Sequence, residues 1–521
     1  MDKSQNVSIC KFSFVSVLLL LAAICIPLIF FPELTERFLS DLYTRLIVNL
    51  GWVYIVVTIA AFVFLLILAF SRFGKMKLGG IEDNVEYSDL SWAGMLFCAG
   101  VGAGLLFWAV IEWGYYYEAP PHNVESRSVA AIDWATSMGL FHWGIVAWAI
   151  YCLPTVAIAY PFYVKKVPYL RLSTALYGLV GDKPIAKPIA AIVDIIFIIS
   201  LLGGAGYSLG ISTPMISASV GYLSDLNDNF TLKLMTALVC SALFSMSAYF
   251  GLNKGIKRLS DANILLAFLL LAFVLFVGPT VFIIKVAINS LGFLASEFVT
   301  MMTWTDPYTD SGFVEKWTIF YWTWWIAYAP FVGLFVTRIS RGRTIRQLIA
   351  GMLIYGTLGG YLFFMILGNY SLSLTLEGVV NTAEILKNEG GVAAIIATFT
   401  ALPFPKLVLG IFCIVSVLFS ATTYDSASYI IASTATKNLT VGQDPGKWHR
   451  LFWAFALAAL PISLMYMEAL EIMVSIMLLT SIPILLIGFF SAIALVKTLK
   501  RDFPFKPVVI KNTKVITNSH N

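Results

Sequence analysis

The run Trp317-Thr318-Ile319-Phe320-Tyr321-Trp322-Thr323-Trp324-Trp325-Ile326-Ala327-Tyr328-Ala329-Pro330, continuing to Arg338-Ile339-Ser340-Arg341-Gly342-Arg343-Thr344-Ile345-Arg346, decides how the rest of the chain is read. Four Trp and two Tyr lie in an apolar segment long enough to span a bilayer, and four Arg follow within nine residues. Trp ordinarily gathers at membrane interfaces, so a cluster running inward from one end asks for another explanation. Aromatic faces attract quaternary ammonium by cation–π contact, worth roughly 2 kcal/mol or more once desolvated. A box of indoles in a membrane helix is a candidate cage for a methylated ammonium. Lipid-facing bulk with an interfacial belt is the competing reading, and this stretch alone leaves both open.

The composition fits a membrane setting. Of 521 residues, 59% are hydrophobic and 12% charged, with a mean hydropathy of +0.85. A soluble domain does not hide that much apolar surface. The net charge of +5 reflects loop asymmetry rather than a nucleic-acid footprint. Cys10, Cys25, Cys98, Cys152, Cys240 and Cys413 lie singly, mostly inside apolar runs, and read as small core residues. His122, His142, His449 and His520 are too scattered for a metal site. No cofactor is implied, and no nucleophile–base pair points to an enzyme. A sensor or channel that binds the ligand without moving it is the other rival to a transporter.

Apolar windows of about 20 residues, the length that crosses the hydrocarbon core, fall near 12–31, 50–70, 91–115, 138–162, 189–221, 234–250, 262–285, 316–338, 347–369, 406–434, 450–467 and 471–497. The expectation is an all-α polytopic membrane protein with twelve transmembrane helices. The first window lacks a small-residue cleavage site and reads as a span, not a removed signal peptide. Lys75, Lys77, Lys165, Lys166, Arg171, Lys254, Lys257, Arg258, the 338–346 arginines, Lys437, Lys447, Arg450, Lys497, Lys500 and Arg501 fall in alternate loops or at the C-terminus. Arg37, Arg45, Arg127 and Lys387 are exceptions. The bias predicts a multi-pass protein of the cell (inner) membrane with both termini cytoplasmic. Ile288–Met302, with Asn289, Ser290 and Glu297 inside it, reads as an interfacial helix outside the membrane. A short helix is expected at Val392–Leu402, and Asp502–Asn521 reads as a mobile tail.

Several spans have unusual interiors. The third holds Gly94, Gly100, Gly102 and Gly104, which suit close packing or an unwound segment. The Trp-rich span comes five later. Odd spans at corresponding places in two halves point to an inverted-repeat transporter with its site at the midplane. The expected division is a tail at 1–11, two peripheral helices over 12–89, a first repeat over 90–287, an interfacial helix and loop over 288–315, a second repeat over 316–497, and a tail over 498–521. In the fourth span Trp143, Trp148 and Tyr151 fall within an arc of roughly 140° at 100° per residue. That is either a packed aromatic face or part of a shared cage. In the tenth, Ser420, Thr422, Thr423, Ser426 and Ser428 crowd Asp425. Such oxygens suit a small hard cation, with carbonyls from an opened third span. Hydroxyls bonded back to their own helix, with Asp425 facing a vestibule, explain them equally well. Asp194 and Glu112 read as structural pairing or interface groups. The arginine run is mainly topological, with loop pairing during gating as a second role.

The run Trp324-Trp325-Ile326-x-Tyr328-x-Pro330-Phe331-Val332-Gly333, followed by the arginines, resembles the betaine/choline/carnitine transporter family. Phe141-His142-Trp143 with Trp148 and Tyr151, and the glycine motif over 100–108, agree, and the resemblance covers about residues 12–500. It implies a LeuT-like inverted five-helix repeat preceded by two extra helices, and a homotrimer in the lipid bilayer. It also implies a cage for a small trimethylammonium substrate from Trp143, Trp148, Tyr151 and Trp325, with Trp324 beside it and Tyr328 and Tyr115 contributing. Trp317 matches an outer, transient substrate site, and Asp425 is assigned to gating. Sodium-coupled relatives hold Na⁺ at positions matching Ala99, Val101, Phe419, Thr422 and Thr423. A further sodium site looks incomplete here, since its hydroxyl positions are Gly204 and Ser208. Sodium-independent exchangers place Met and Arg where this chain has Val332 and Asn263, although Tyr115–Tyr117 and Leu209–Pro214 look exchanger-like. The expected activity is Na⁺-coupled uptake of glycine betaine, choline or carnitine by alternating access, with sodium-independent exchange as the alternative. The long charged tails that sense osmotic stress in some symporters are absent.

Overall fold

The computed structural model describes residues 8–80, 83–250, 253–437, 439, 443–466 and 472–504. The loop Met467–Glu471, most of the C-terminal tail and the side chains of Lys254, Lys257 and Arg258 lie outside what is described. No strand forms among the described residues. Two isolated antiparallel bridges, Ile9 with Thr436 and Lys77 with Thr344, tie loops together.

Among the described residues nine helical segments are long and apolar enough to cross a membrane, and a tenth if one bent pair counts as a single span. Eight of the twelve sequence windows coincide with continuous segments, including Val129–Tyr163, Ala186–Ser224, Val314–Ile339 and Pro405–Thr434. A ninth window is the bent pair. Two others yield only the shorter apolar helices Phe230–Met246 and Ala262–Val277. The twelfth, Lys447–Tyr466, opens on Lys447, His449 and Arg450 and is not among the nine. The count of twelve is therefore not established.

One boundary moves. The window 262–285 is cut at Gly278-Pro279, because proline cannot continue the helix before it and disfavours helical geometry in the preceding residue. A new helix, Thr280–Thr303, starts there and runs 24 residues. The expected interfacial helix at 288–302 is its C-terminal part. Its length and hydropathy place it among the nine candidate spans, which removes the argument that it is too short to cross. The ninth span extends to Leu376, and in the loop after it the expected short helix forms as Gly391–Thr400, preceded by a second, Thr382–Glu389.

Four of the spans have irregular helices. Asp89–Ala99 and Ala103–Glu118 meet at 64° across Gly100-Val101-Gly102. Gly100 is needed for space: a Cβ there would sit 2.7 Å from Cζ2 of Trp148. The fourth span breaks at Gly144 into Val129–Trp143 and Ile145–Tyr163. The 140° arc assumed an unbroken helix, so Trp143 is placed independently of Trp148 and Tyr151. The Trp-rich span starts as a π-helix at Val314–Ile319, and the ninth carries two more, Met352–Gly356 and Phe364–Gly368. Such bulges concentrate at functional sites.

The arginine run clips onto the loop before the bent pair. Arg341 lies 3.3 Å from Asp83, and Arg343 pairs with Asp89, donates to the Tyr87 carbonyl at 2.9 Å and stacks 4.4 Å above Trp92. The Gly80 amide, donating to Asp83 at 2.7 Å, and the nearby Arg341 guanidinium hold that carboxyl below the usual range. Gly342 makes the turn at φ +81°, where a Cβ would meet the Asn84 carbonyl at 2.7 Å. The acidic loop partners considered for these arginines are thus present.

Candidate functional site

Four of the expected cage rings form a chain of near-right-angle contacts. Trp148 meets Tyr151 at 5.6 Å and 88°, Tyr151 meets Trp325 at 5.9 Å and 77°, and Trp325 meets Trp143 at 4.7 Å and 73°. The walls come from the broken fourth span and the Trp-rich helix. All four rings are buried. Trp324 stacks on Trp325 at 4.8 Å and touches Trp143 and Tyr207 edge-on. Tyr328 is further along the helix, against Phe331 and 3.2 Å from the Cβ position of Gly204.

The rings are held, not merely packed. The Trp325 indole donates to the His142 carbonyl at 2.9 Å, and that of Trp143 donates to Glu112 Oε2 at 2.9 Å. Trp148 is seated between Gly100 and Gly356, whose Cβ positions would fall 2.7 and 2.2 Å from its ring. The π-bulge ending at Gly356 brings that backbone close.

Tyr115 stands against a second set of rings. Its rings in contact are Trp317 at 5.1 Å and Trp108 at 6.2 Å, and Trp317 also meets Tyr116 at 4.9 Å. The structure thus forms a second aromatic group around Trp317 with Tyr115 in it. Tyr321 links this group to the cage, at 6.1 Å from Trp108 and 5.7 Å from both Trp143 and Trp325.

The residue that sequence reasoning undervalued is Glu112, which is fully buried. Its carboxylate accepts from Trp143, from the Tyr321 hydroxyl at 2.6 Å and from the Tyr116 hydroxyl at 2.7 Å. Tyr116 also lies 3.0 Å from His142 Nδ1, and His142 Nε2 is 3.1 Å from the Thr318 hydroxyl. The signal available in the sequence was an acid inside an apolar span beside an aromatic run. Asp194 pairs with Arg171 at 3.5 Å, as a structural role implies.

On the tenth span, Ser420 donates to Ser212 at 3.2 Å and Tyr424 to the Ala205 carbonyl at 2.7 Å, both buried. Thr422 bonds back to the Phe419 carbonyl at 3.1 Å. Thr423 faces the bend of the third span, its hydroxyl 3.9 Å from where a Cβ on Gly102 would stand. The structure therefore brings Gly102 of the bend and Thr423 together. Asp425 is partly buried and makes no ion pair among the described residues. At the further sodium position, Gly204 offers no hydroxyl and its side-chain space is taken by Tyr328. Val332 and Asn263 are both buried.

Comparison with known proteins identifies the family. The model of the betaine/carnitine/choline family transporters matches residues 12–504. A carnitine transporter of Acinetobacter baumannii is 36% identical over 86% of this chain and 81% of its own length. A glycine betaine transporter of Acinetobacter baylyi is 32% identical over 94% of this chain and 73% of its own. An uncharacterized transporter of Escherichia coli is 38% identical over 84% of this chain and 90% of its own. With a family match spanning nearly every described helix, the chain belongs to the betaine/carnitine/choline transporter family, a family of membrane transporters and not of enzymes.

Proposed function

We propose that the protein takes up a trimethylammonium compound such as glycine betaine, choline or carnitine, coupled to Na⁺, with the headgroup held by Trp143, Trp148, Tyr151 and Trp325. The observation that carries this reading is the chain of orthogonal rings from two helices, each ring buried and two fixed by indole hydrogen bonds. Walls meeting at right angles offer π faces to several methyl groups of one ammonium, which a single stacked pair cannot do. Relatives named for carnitine and for glycine betaine support the substrate class. Trp317, Trp108 and Tyr115 serve as an outer station on the way to the cage, and Asp425 belongs to the gate.

Sodium coupling draws on a different place. The break between Ala99 and Ala103 stands beside Thr423 of the tenth span, which also carries Thr422 and Phe419, and the reading takes the Ala99 and Val101 carbonyls as the remaining ligands. A helix broken in this way supplies cation ligands that an intact one keeps bonded. An inner-membrane location with cytoplasmic termini is supported by the Lys and Arg distribution, and the homotrimer by family resemblance.

The test is uptake of labelled betaine, choline and carnitine into proteoliposomes, with and without an inward Na⁺ gradient and with and without internal substrate. Accumulation that needs Na⁺ supports the symporter. Uptake indifferent to Na⁺ and raised by internal substrate makes the protein an exchanger and leaves the threonines structural.

A further inference from the structure

Glu112 has an incomplete charge balance. Its carboxylate is buried between the Ala103–Glu118 helix, the end of Val129–Trp143 and the Trp-rich helix. Among the described residues no Lys or Arg approaches it; the one basic group in reach is His142, with Nδ1 3.6 Å from Oε1. Its three direct partners are neutral donors. Oε2 takes both the Trp143 N–H and the Tyr321 hydroxyl, and Oε1 takes the Tyr116 hydroxyl. An indole N–H only donates, so Oε2 must act as an acceptor. The hydroxyl contacts of 2.6 and 2.7 Å fall in the range of charge-assisted O–H···O⁻ bonds. His142 completes the pattern as a donor through Nδ1 to Tyr116, with Nε2 free to accept from Thr318. Every hydrogen bond is then satisfied with the carboxylate ionised.

An ionised carboxylate in the membrane interior is expensive without a counter-charge. The Trp143 indole stands between this carboxylate and the cage: its N–H binds Glu112 while its ring contacts Trp325. Tyr321 repeats the arrangement, donating to the same oxygen and packing at 5.7 Å on Trp325. We propose that Glu112 is a specificity-determining residue: its fixed negative charge, relayed through Trp143 and Tyr321, is the counter-charge that the ammonium of the substrate completes. This rests on the trimethylammonium reading of the cage and adds to it a preference for net cations over zwitterions. A cation over the Trp143 face stands on the order of 7 Å from the carboxylate. At an effective dielectric near 20 the Coulomb term there corresponds to about fiftyfold in affinity. A zwitterion feels less, because its own carboxylate is repelled. A neutral molecule of the same shape feels almost nothing.

The experiment is a binding matrix on the purified full-length protein, in nanodiscs, by calorimetry. The ligands are choline, glycine betaine and 3,3-dimethylbutan-1-ol, the uncharged carbon analogue of choline. The proteins are the native chain and Glu112→Gln, which keeps the size and an acceptor for Trp143 but removes the charge. The proposal expects choline to lose about tenfold to fiftyfold in Glu112→Gln, betaine about threefold, and the neutral analogue less than twofold. An equal loss for all three ligands would show that Glu112 only holds Trp143 in place, and overturns the proposal. Should Glu112→Gln fail to fold, the native chain decides, since choline and betaine share the same trimethylammonium head. The proposal expects choline to bind at least about threefold more tightly than betaine, and equal or tighter binding of betaine overturns it. Native protein that binds none of choline, betaine and carnitine would refute the cage reading itself, a result distinct from either of these.

Discussion

The aromatic cage and the hydroxyl-bearing tenth span meet the same bend in the third span, yet they are built in opposite ways. Each cage indole is over-determined. Trp143 and Trp325 are tied by hydrogen bonds to Glu112 and to the His142 carbonyl, and Trp148 is fitted into space that only glycine leaves at positions 100 and 356. The tenth span is fixed where it faces the Ala186–Ser224 helix, through Ser420 and Tyr424. At Thr422 it is bonded only to its own helix, and Thr423 stands beside the bend. The lesson is a division of labour. A methylated ammonium offers no hydrogen bonds, so its site must be made by rigid placement of faces. A small cation needs oxygens that can close around it, and the proposed Na⁺ role of Thr422 and Thr423 would call for hydroxyls that are not tied to another helix.

That contrast can be broken in four places. Trp325→Leu removes one wall and its hydrogen bond, and is expected to weaken substrate affinity about a hundredfold while the protein still inserts. Near-normal uptake by this variant would sink the cage assignment. Replacing Thr422 and Thr423 by Ala should raise the Na⁺ concentration for half-maximal uptake about tenfold or more, leaving substrate affinity measured without Na⁺ within about twofold. A matching loss of sodium-free affinity would mean that the two regions are one site. Gly100→Ala pushes a methyl into Trp148; such overpacking costs about 1–3 kcal/mol, and a fivefold to tenfold weaker substrate Kd is expected in a calorimetric titration. Ser420→Ala should have the smallest effect. It removes the hydroxyl that donates to Ser212, which keeps its own bond to the Leu209 carbonyl, and lowers unfolding stability by about 1 kcal/mol, with Na⁺ dependence unchanged.

The sequence made the cage walls legible because each is an aromatic residue in a span that has no general use for so many. The bend at 100–102 was legible as a glycine cluster. Gly144 was not, since one glycine in an apolar helix ordinarily passes without a break; here its Cβ position would lie 2.6 Å from the Tyr361 hydroxyl, a contact made by a distant helix. The π segments were equally hidden, because packing rather than local propensity produces them. Glu112 was visible as a membrane acid, but its partners lie 4, 31 and 209 residues away, so its bonding became readable only once three segments were brought together. Tyr115 was grouped with the cage by resemblance and stands instead with Trp317. The helix Thr280–Thr303 was shortened in the sequence reading because Asn289 and Ser290 looked like interruptions. Ser290 in fact bonds to Thr136 and its own helix, and Asn289 to Asp133.

The most direct test of the cage compares choline with 3,3-dimethylbutan-1-ol, which matches its shape without the charge, by competition for uptake of whichever labelled trimethylammonium compound the native protein transports. Recognition by cation–π contact predicts that the neutral analogue competes about thirtyfold more weakly, the equivalent of roughly 2 kcal/mol. Equal competition by the two compounds would mean that the rings form only an apolar pocket, and would contradict the account.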